Sequence, residues 1–424
     1  MLFNKIISVI HTKTINHFFI TSGGTIVNGT LGLLFYIYIA RLLGPADFGI
    51  LSIAIAAITL IADIGDLGID TGIIRFVGKY NMVDKDKALK FLKLGLKVKL
   101  FIWLICFVLG WFLMPAASEL IFLKSDLTLP LRLSLIGAGG AMLFSLSTHA
   151  IQSYQKFWIW NFLNIGTNGL RLLAIIALSL FSILNLPQVL IIYITLPFLG
   201  FFISLIFLPN YLTAKNERSV ASELLNYSKW VAVVGLLTAT AFRLDTFLSA
   251  RFLTVAQVGI YSVAAQVTTV APQLIFALAT VVAPKLSSFD TRDKVIAYLK
   301  KLQLLTLGMS LVGFLLLPIG IFLLPQIYGA DYEASIPPFI ILFIAQIVFL
   351  LALPAQQAIF YYFAKPKFFN VIALGQLSIM GVGGWFLISS FGVLGAAITV
   401  LLSNIFSFLI SSIWVLYQFK TGKK

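Results

Sequence analysis

The stretch ARLLGPADFGILSIA, residues 40–54, returns as ARFLTVAQVGIYSVA at residues 250–264. Eight of the 15 positions are identical in the two copies. The offset of 210 residues is almost half of the 424-residue chain. The sequence therefore predicts one structural unit that is used twice.

The composition places this repeated unit in a membrane. Hydrophobic residues make up 60% of the chain, charged residues 11%, and the mean hydropathy is +1.02. These values lie outside the range of soluble domains. Apolar runs of about 20 residues, the length of a helix that crosses the hydrocarbon core, recur along the chain. Because lipid offers no hydrogen-bond partner to the backbone, we expect an all-α polytopic membrane protein.

Twelve such spans are predicted. They cover residues 17–40, 50–74, 94–114, 131–152, 161–184, 188–208, 229–250, 259–283, 302–324, 338–360, 371–388 and 393–417. The predicted organisation is an N-terminal segment (1–16), a six-helix bundle (17–208), a linker (209–228), a second six-helix bundle (229–417) and a basic tail (418–424).

The cations predict the orientation of these spans. With the N-terminus inside, 24 Lys and Arg residues fall on the cytoplasmic side and four on the outer side. This asymmetry predicts a multi-pass protein of the plasma (inner) membrane with both termini cytoplasmic. The net charge of +15 then faces anionic headgroups, and no nucleic acid is needed to explain it.

The two copies of the opening phrase fall in the same place, after the first span of each half. An even number of spans separates them, so the halves share one orientation and are related by an axis along the membrane normal. Residues beyond the phrase keep a similar offset, pairing Lys156 with Lys365 and Asn161 with Asn370.

Two adjacent motifs carry a family resemblance. ARLLGPADFG (residues 40–49) followed by DLGIDTGIIRFVGKY (residues 66–80) resembles the N-terminal signature of Wzx-type polysaccharide, or O-antigen, flippases. These belong to the multidrug/oligosaccharidyl-lipid/polysaccharide (MOP) exporter superfamily. The resemblance implies a MATE-like, V-shaped pair of six-helix bundles around a central cavity. It also implies a monomer that moves a polyprenyl-diphosphate-linked glycan to the outer leaflet, among membrane lipids and alongside a polysaccharide polymerase or glycosyltransferases.

The fifth span carries a polar stripe in which such a cargo could bind. Asn161, Asn164, Asn168 and Arg171 lie within about 80° of one helix face. Amides suit sugar hydroxyls and a guanidinium suits phosphate oxygens, so these four residues are candidate substrate ligands. The alternative is an interhelical hydrogen-bond seam.

Acidic residues mark the second span. Its polar face carries Asp63, Asp66 and Asp70, and the repeat places Gln273 opposite Asp63. We expect these residues to line the cavity or to couple transport to H⁺ or Na⁺, with a structural ion pair as the alternative for Asp63. Three glycines on the opposite face, Gly65, Gly68 and Gly72, predict close packing against a neighbour.

The seventh span adds two charges. Arg243 is a second candidate substrate cation, with an interhelical contact as its alternative, and Asp245 is a candidate cavity residue. Two positions apart on a helix, they point to nearly opposite faces and should not pair with each other. Arg41 and Arg251, matched in the repeat, are interpreted as fold determinants or headgroup anchors.

The sequence favours a flippase that is not an enzyme and has no cofactor apart from a coupling ion. The stretch nearest to a P-loop, GIIRFVGK at residues 72–79, has five residues between its glycines instead of four. The main alternative is a multidrug or small-solute exporter of the same superfamily. A polysaccharide polymerase or glycosyltransferase is disfavoured because the outer loops are short and poor in catalytic groups, and a lipid II flippase because those usually have fourteen helices.

Overall fold

The computed structural model describes residues 13–421, apart from residue 366 and thirteen positions between 270 and 290. The residues that it describes contain helices, turns and irregular segments but no strand. The prediction of an all-α fold is confirmed.

Among the described residues, seven helices lie before residue 253. They are α1 (Lys13–Asp66), α2 (Ile69–Tyr80), α3 (Lys85–Ala116), α4 (Thr128–Ser153), α5 (Phe157–Leu180), α6 (Leu186–Leu205) and α7 (Arg218–Phe252). A π-helical turn, Ala117–Ile121, and a 3₁₀ turn, Ser125–Leu127, join α3 to α4.

Five more helices are described after residue 253. They are α8 (Val255–Thr268), α9 (Arg292–Tyr328), α10 (Ile336–Gln357), α11 (Lys367–Ser378) and α12 (Gly384–Thr421). A 3₁₀ turn, Ala330–Ser335, precedes α10, and π-helical turns follow α10 and α11 at Ala358–Tyr362 and Ile379–Gly383.

The helix boundaries depart from the predicted spans at three glycines. The first two spans form one element, α1, which bends at Gly44, where φ is 73°. The predicted span 50–74 is wrong as a continuous helix. The helix ends at Asp66, where the backbone turns with φ of 46° at Leu67 and 73° at Gly68. Glycine tolerates this left-handed backbone, which most other residues avoid. The last predicted span lies within α12, which kinks at Gly392.

Nine helical stretches of the described residues are long and apolar enough to cross a membrane. Some of them contain two predicted spans, and the eighth span, 259–283, lies partly outside the described residues. The protein is thus a multi-pass membrane protein, while the count of twelve spans stays a prediction.

The helices group into two compact units. The first contains residues 1–39 and 54–239, and the second contains residues 40–53 and 240–424. The first copy of the repeated phrase therefore groups with the second copy. The predicted bundle boundaries, which follow membrane spans, stay a prediction.

Within the second unit, the two copies of the phrase pack backbone to backbone. A Cβ added to Gly49 would overlap the carbonyl group of Val255, and one added to Gly259 would overlap the carbonyl group of Pro45. The two contacts are equivalent under the 210-residue repeat. Only glycine permits this approach, which explains why the phrase keeps a glycine at this position in both copies.

In the first unit, a row of lysines on α3 holds the segment before α7. Lys90 contacts Glu217 at 2.8 Å, Lys93 donates to the Ala214 carbonyl at 2.6 Å and Lys97 donates to Asn216 Oδ1 at 2.9 Å. The hydrogen bond from Lys90 lowers the pKa of Glu217 below its usual value. The second part of the predicted linker is itself helical, because α7 begins at Arg218.

Candidate functional site

The polar stripe of α5 brings Arg171 into a cluster of aromatic and amide groups in the first unit. Arg171 Nη1 donates to Asn168 Oδ1 at 2.8 Å, and Asn168 Nδ2 donates in turn to Asn28 Oδ1 at 2.7 Å. The guanidinium lies 4.1 Å from the ring centroid of Tyr193 and 5.5 Å from that of Phe35. We call these five residues the arginine cluster.

The guanidinium of Arg171 has an N–H donor without an acceptor among the described residues. It forms no ion pair with a carboxylate in the part of the chain that the structure describes. Its Nε is buried there without a hydrogen-bond partner. A ring face stabilises a cation but accepts no conventional hydrogen bond. The cluster therefore positions a cation and leaves part of its hydrogen-bonding capacity for an anion.

The start of the stripe is buried. Asn161 donates to the Ile20 carbonyl at 2.6 Å and fills the space beside Gly24, and Asn164 bonds to the carbonyl of Trp160 in its own helix. The Asn161 contact is of the kind that the interhelical-seam alternative requires. Substrate binding by the four stripe residues stays a prediction. Since α5 begins at Phe157, Arg171 lies about 21 Å along the helix.

A second cluster surrounds Lys99 on α3. Its Nζ lies 2.9 Å from Asp66 Oδ1 and 2.6 Å from Asp70 Oδ1. Asp70 Oδ2 also accepts from Ser145 Oγ at 2.5 Å and lies 3.5 Å from His149 Nδ1. We call these five residues the charge cluster. It gives Asp66 and Asp70 a direct cationic partner.

Lys99 was not singled out from the sequence, in which it is one of the 24 Lys and Arg residues placed on the cytoplasmic side. The signal was present, since Lys99 lies five residues inside the predicted span 94–114. A lysine at that depth needs a partner. The structure provides two carboxylates and leaves only 1% of the residue exposed.

Asp63 and Gln273 are the remaining predicted residues of the acidic face. Asp63 is exposed, one turn before Asp66. Gln273 lies outside the described residues. The three glycines do pack closely, but against different neighbours: Gly65 against Met142 on α4, and Gly68 and Gly72 against α7. Cavity lining or ion coupling by the acidic residues stays a prediction.

Asp245 forms its own group of contacts in the second unit. Its Oδ2 accepts from Tyr261 Oη at 2.6 Å, and its Oδ1 accepts from the backbone N–H of Thr246 at 2.7 Å. Arg243 is half-buried on the same helix and forms no ion pair with Asp245 among the described residues. The carboxylate is thus held mainly by neutral donors.

Replacement of Tyr261 with phenylalanine should destabilise the protein by about 1–3 kcal/mol, because the half-buried Asp245 would lose the hydrogen bond from the buried Tyr261 hydroxyl. The thermal midpoint in detergent should fall. Tyr417→Phe is the matched control, since Tyr417 is exposed and should tolerate the change. Equal midpoints for the two variants would show that the Tyr261 contact contributes nothing.

The arginines of the repeated phrase, both in the second unit, make different contacts. Arg41 Nη1 donates to the Gln326 carbonyl at 3.5 Å. Arg251 lies 5.4 Å from the ring centroid of Trp385. Nearby, Tyr332 Oη donates to the Ala40 carbonyl at 2.9 Å. These contacts join the phrase to its surroundings, and the role of the two arginines as fold determinants or headgroup anchors stays a prediction.

Comparison with protein families identifies the chain. The model of a family described as "Polysaccharide biosynthesis protein" matches residues 15–290, well over half of the chain. The chain belongs to this family. No curated protein matches the sequence. The arginine cluster and the charge cluster both lie inside the region that matches this polysaccharide biosynthesis family.

Solved structures show the same fold for this family member. An inward-facing multidrug resistance MATE transporter of the MOP superfamily aligns with a TM-score of 0.72 and 12% identity over 93% of this chain and 95% of that chain. The lipid II flippase MurJ aligns with a TM-score of 0.71 and 16% identity over 93% and 87%. A MOP superfamily transporter from Pyrococcus furiosus gives a TM-score of 0.58 at 14% identity over 95% and 94%.

Proposed function

We propose that this protein is a Wzx-type flippase, which moves a polyprenyl-diphosphate-linked oligosaccharide from the inner to the outer leaflet of the plasma membrane, with both termini in the cytoplasm. One observation carries the proposal: Arg171 lies in an apolar helix and has no carboxylate partner among the described residues. A charge at the centre of a bilayer costs about 2.5–3.5 kcal/mol or more. Transient binding of an anionic cargo would explain why Arg171 is retained in this apolar helix.

The chemistry of the arginine cluster favours a phosphate-bearing cargo. A guanidinium can bind phosphate oxygens through two parallel hydrogen bonds. The neighbouring amides of Asn168 and Asn28 donate and accept, as sugar hydroxyls require. The Tyr193 ring lies against the guanidinium, 4.1 Å from its central carbon. We assign the diphosphate to Arg171, with Arg243 as the second choice in its place, and the glycan to the asparagine stripe of α5.

The driving force does not require a nucleotide. An inside-negative potential favours outward movement of an anion by about 2.3 kcal/mol per charge per 100 mV. H⁺ or Na⁺ would couple through carboxylates such as Asp63, which is exposed, or Asp245. The protein changes the location of its cargo and not its covalent structure, so we assign it no catalytic residues.

An exporter of small solutes is the second candidate, because a MATE multidrug transporter shares the fold. Arg171, which has no carboxylate partner among the described residues, disfavours a cationic drug, since like charges repel in a low-dielectric site. The same group favours an anionic cargo. The two functions therefore predict opposite selectivity at Arg171.

Reconstitution into liposomes tests the function. Three fluorescent cargoes are compared: a diphosphate-linked oligosaccharide, lipid II and a cationic dye. A membrane-impermeant quencher shows in which leaflet each fluorescent lipid lies and whether the dye has crossed the membrane. We expect transfer of the oligosaccharide lipid above the rate in protein-free liposomes and no transport of the dye. Transport of the dye or of lipid II without the oligosaccharide lipid would overturn the proposal.

A further inference from the structure

The arginine cluster contains a chain of side-chain hydrogen bonds that connects two helices. Arg171 Nη1 donates to Asn168 Oδ1 at 2.8 Å, and Asn168 Nδ2 donates to Asn28 Oδ1 at 2.7 Å. Arg171 and Asn168 lie on α5, whereas Asn28 lies on α1. We call these three residues the amide relay. It joins the guanidinium to the neighbouring helix through a single amide.

The direction of the amide relay follows from the chemistry of its members. A guanidinium has donors but no acceptor, so Asn168 must turn its oxygen toward Arg171. The NH₂ group of Asn168 then faces Asn28, which must in turn present its own oxygen. A flipped Asn168 amide would bring two donors together. The group at position 28 therefore determines which end of Asn168 meets the guanidinium.

Arg171 depends on this amide for its orientation. Asn168 Oδ1 is the one hydrogen-bond acceptor of Arg171 in the part of the chain that the structure describes. The other members of the cluster, Tyr193 and Phe35, contact the guanidinium through ring faces, which accept no conventional hydrogen bond. Since all three relay residues are half-buried, water replaces a lost partner only incompletely.

The second half of the repeat is built without the relay. At the offsets of 209 and 210 residues that relate the halves, the relay residues correspond to residues with neither an amide nor a charge: Leu377 for Asn168, Met380 for Arg171 and Thr238 for Asn28. Met380 is buried. This fold thus accepts an apolar side chain at the position of Arg171, so the asparagines that support the arginine serve the arginine and not the fold.

The contact between α1 and α5 does not rest on Asn28 alone. On one side of the relay, Asn161 Nδ2 donates to the Ile20 carbonyl at 2.6 Å. On the other side, the hydroxyl groups of Tyr38 and Ser179 lie 2.6 Å apart. Both contacts should persist when Asn28 is replaced. The two helices should therefore stay together in variants of this residue.

We propose that Asn28 is a positioning residue of the cargo site. It accepts from Asn168 Nδ2, fixes the orientation of that amide and thereby restrains the guanidinium of Arg171. The binding of the cargo diphosphate by this guanidinium rests on the proposed function. The sequence did not single out Asn28, because it lies on a different helix from the stripe that carries Arg171.

Side-chain NMR of the arginines tests the restraint in the full-length protein without cargo. The chain has eight arginines, and the Arg171 signal is identified by its loss in Arg171→Lys. In wild type, rotation about the Nε–Cζ bond of Arg171 should be slow. In Asn28→Leu it should be faster by about tenfold or more, because Asn168 loses the acceptor that orients it. Asn28→Asp keeps an acceptor and should restore the slow rotation.

Two other variants show whether the effect passes through Asn168. In a protein that already carries Asn168→Leu, Asn28→Leu should change the Arg171 signal no further. Asn404→Leu removes an amide that donates to the Ala345 carbonyl at 2.9 Å in the second unit, and it should leave the Arg171 signal as in wild type. Fast rotation already in wild type, or slow rotation in Asn28→Leu, would overturn the proposal.

Transfer of the oligosaccharide lipid in liposomes separates this inference from the proposed function. Asn28→Leu should lower the rate about tenfold and should cause no further loss in Arg171→Ala. A wild-type rate in Asn28→Leu, with fast rotation of Arg171, would overturn the role of Asn28 in the cargo site. A protein that moves no oligosaccharide lipid but restrains Arg171 through Asn28 would refute the flippase and support the relay.

Discussion

Replacement of Arg171 with alanine is expected to lower the rate of oligosaccharide-lipid transfer at least about tenfold in liposomes. Truncating one partner of a desolvated, hydrogen-bonded charge pair costs about 2–5 kcal/mol, and every 1.4 kcal/mol is a factor of ten. The folded protein should lose little, because Arg171 forms one hydrogen bond and ring contacts but no ion pair among the described residues.

Two further variants belong to this experiment. One separates the charge of Arg171 from its geometry, and the other is a control at a different arginine. Arg171→Lys keeps the charge but loses the planar fork, so its rate should lie between those of wild type and alanine. Arg132→Ala removes an arginine that also contacts an aromatic ring, since Arg132 lies 5.1 Å from the ring centroid of Trp111, and it should transport normally. A wild-type rate in Arg171→Ala would remove Arg171 from the mechanism.

The second large effect is expected at the crossing of the two phrase copies. Gly49→Ala and Gly259→Ala should each destabilise the protein by about 3 kcal/mol or more, because the new methyl group meets a backbone carbonyl that cannot rotate away. The helices would have to separate at a contact where both backbones are fixed. Thermal midpoints in one detergent, measured for both variants, provide the check.

Glycines with open surroundings supply the matched control. A Cβ added to Gly32 or Gly166 meets no atom within 4 Å. Alanine at these helical positions should be neutral or stabilising by about 0.5–1 kcal/mol, since it has the higher helix propensity. If all four variants showed the same midpoint, the close crossing at Gly49 and Gly259 would be absent in solution.

Much of the fold could be predicted because its cause is local and periodic. Long apolar runs have one solution in lipid, the helix, and the phrase around Gly49 and Gly259 revealed the repeat. The sequence did not reveal that the two copies pack against each other. The break at Leu67 and Gly68 was also missed, because glycine is common in membrane helices and does not by itself mark the end of one.

The polar clusters were predictable only in part. A helical period placed Arg171 and Asn168 on one face, and the structure joins them by a hydrogen bond. The partners supplied by other helices, Tyr193 and Asn28, could not be derived, since pairing between helices depends on packing and not on spacing. For the same reason Asp66 and Asp70 were recognised as acidic residues of one helix, while Lys99, about 30 residues away, was not connected with them.

The most direct test of the central claim, that Arg171 binds the diphosphate of the cargo, combines a change in the protein with a change in the headgroup. Transfer rates are measured for wild type and Arg171→Ala with the same glycan on a polyprenyl diphosphate and on a polyprenyl monophosphate. The account predicts that wild type prefers the diphosphate and that Arg171→Ala loses this preference. An undiminished preference in the alanine variant would contradict it.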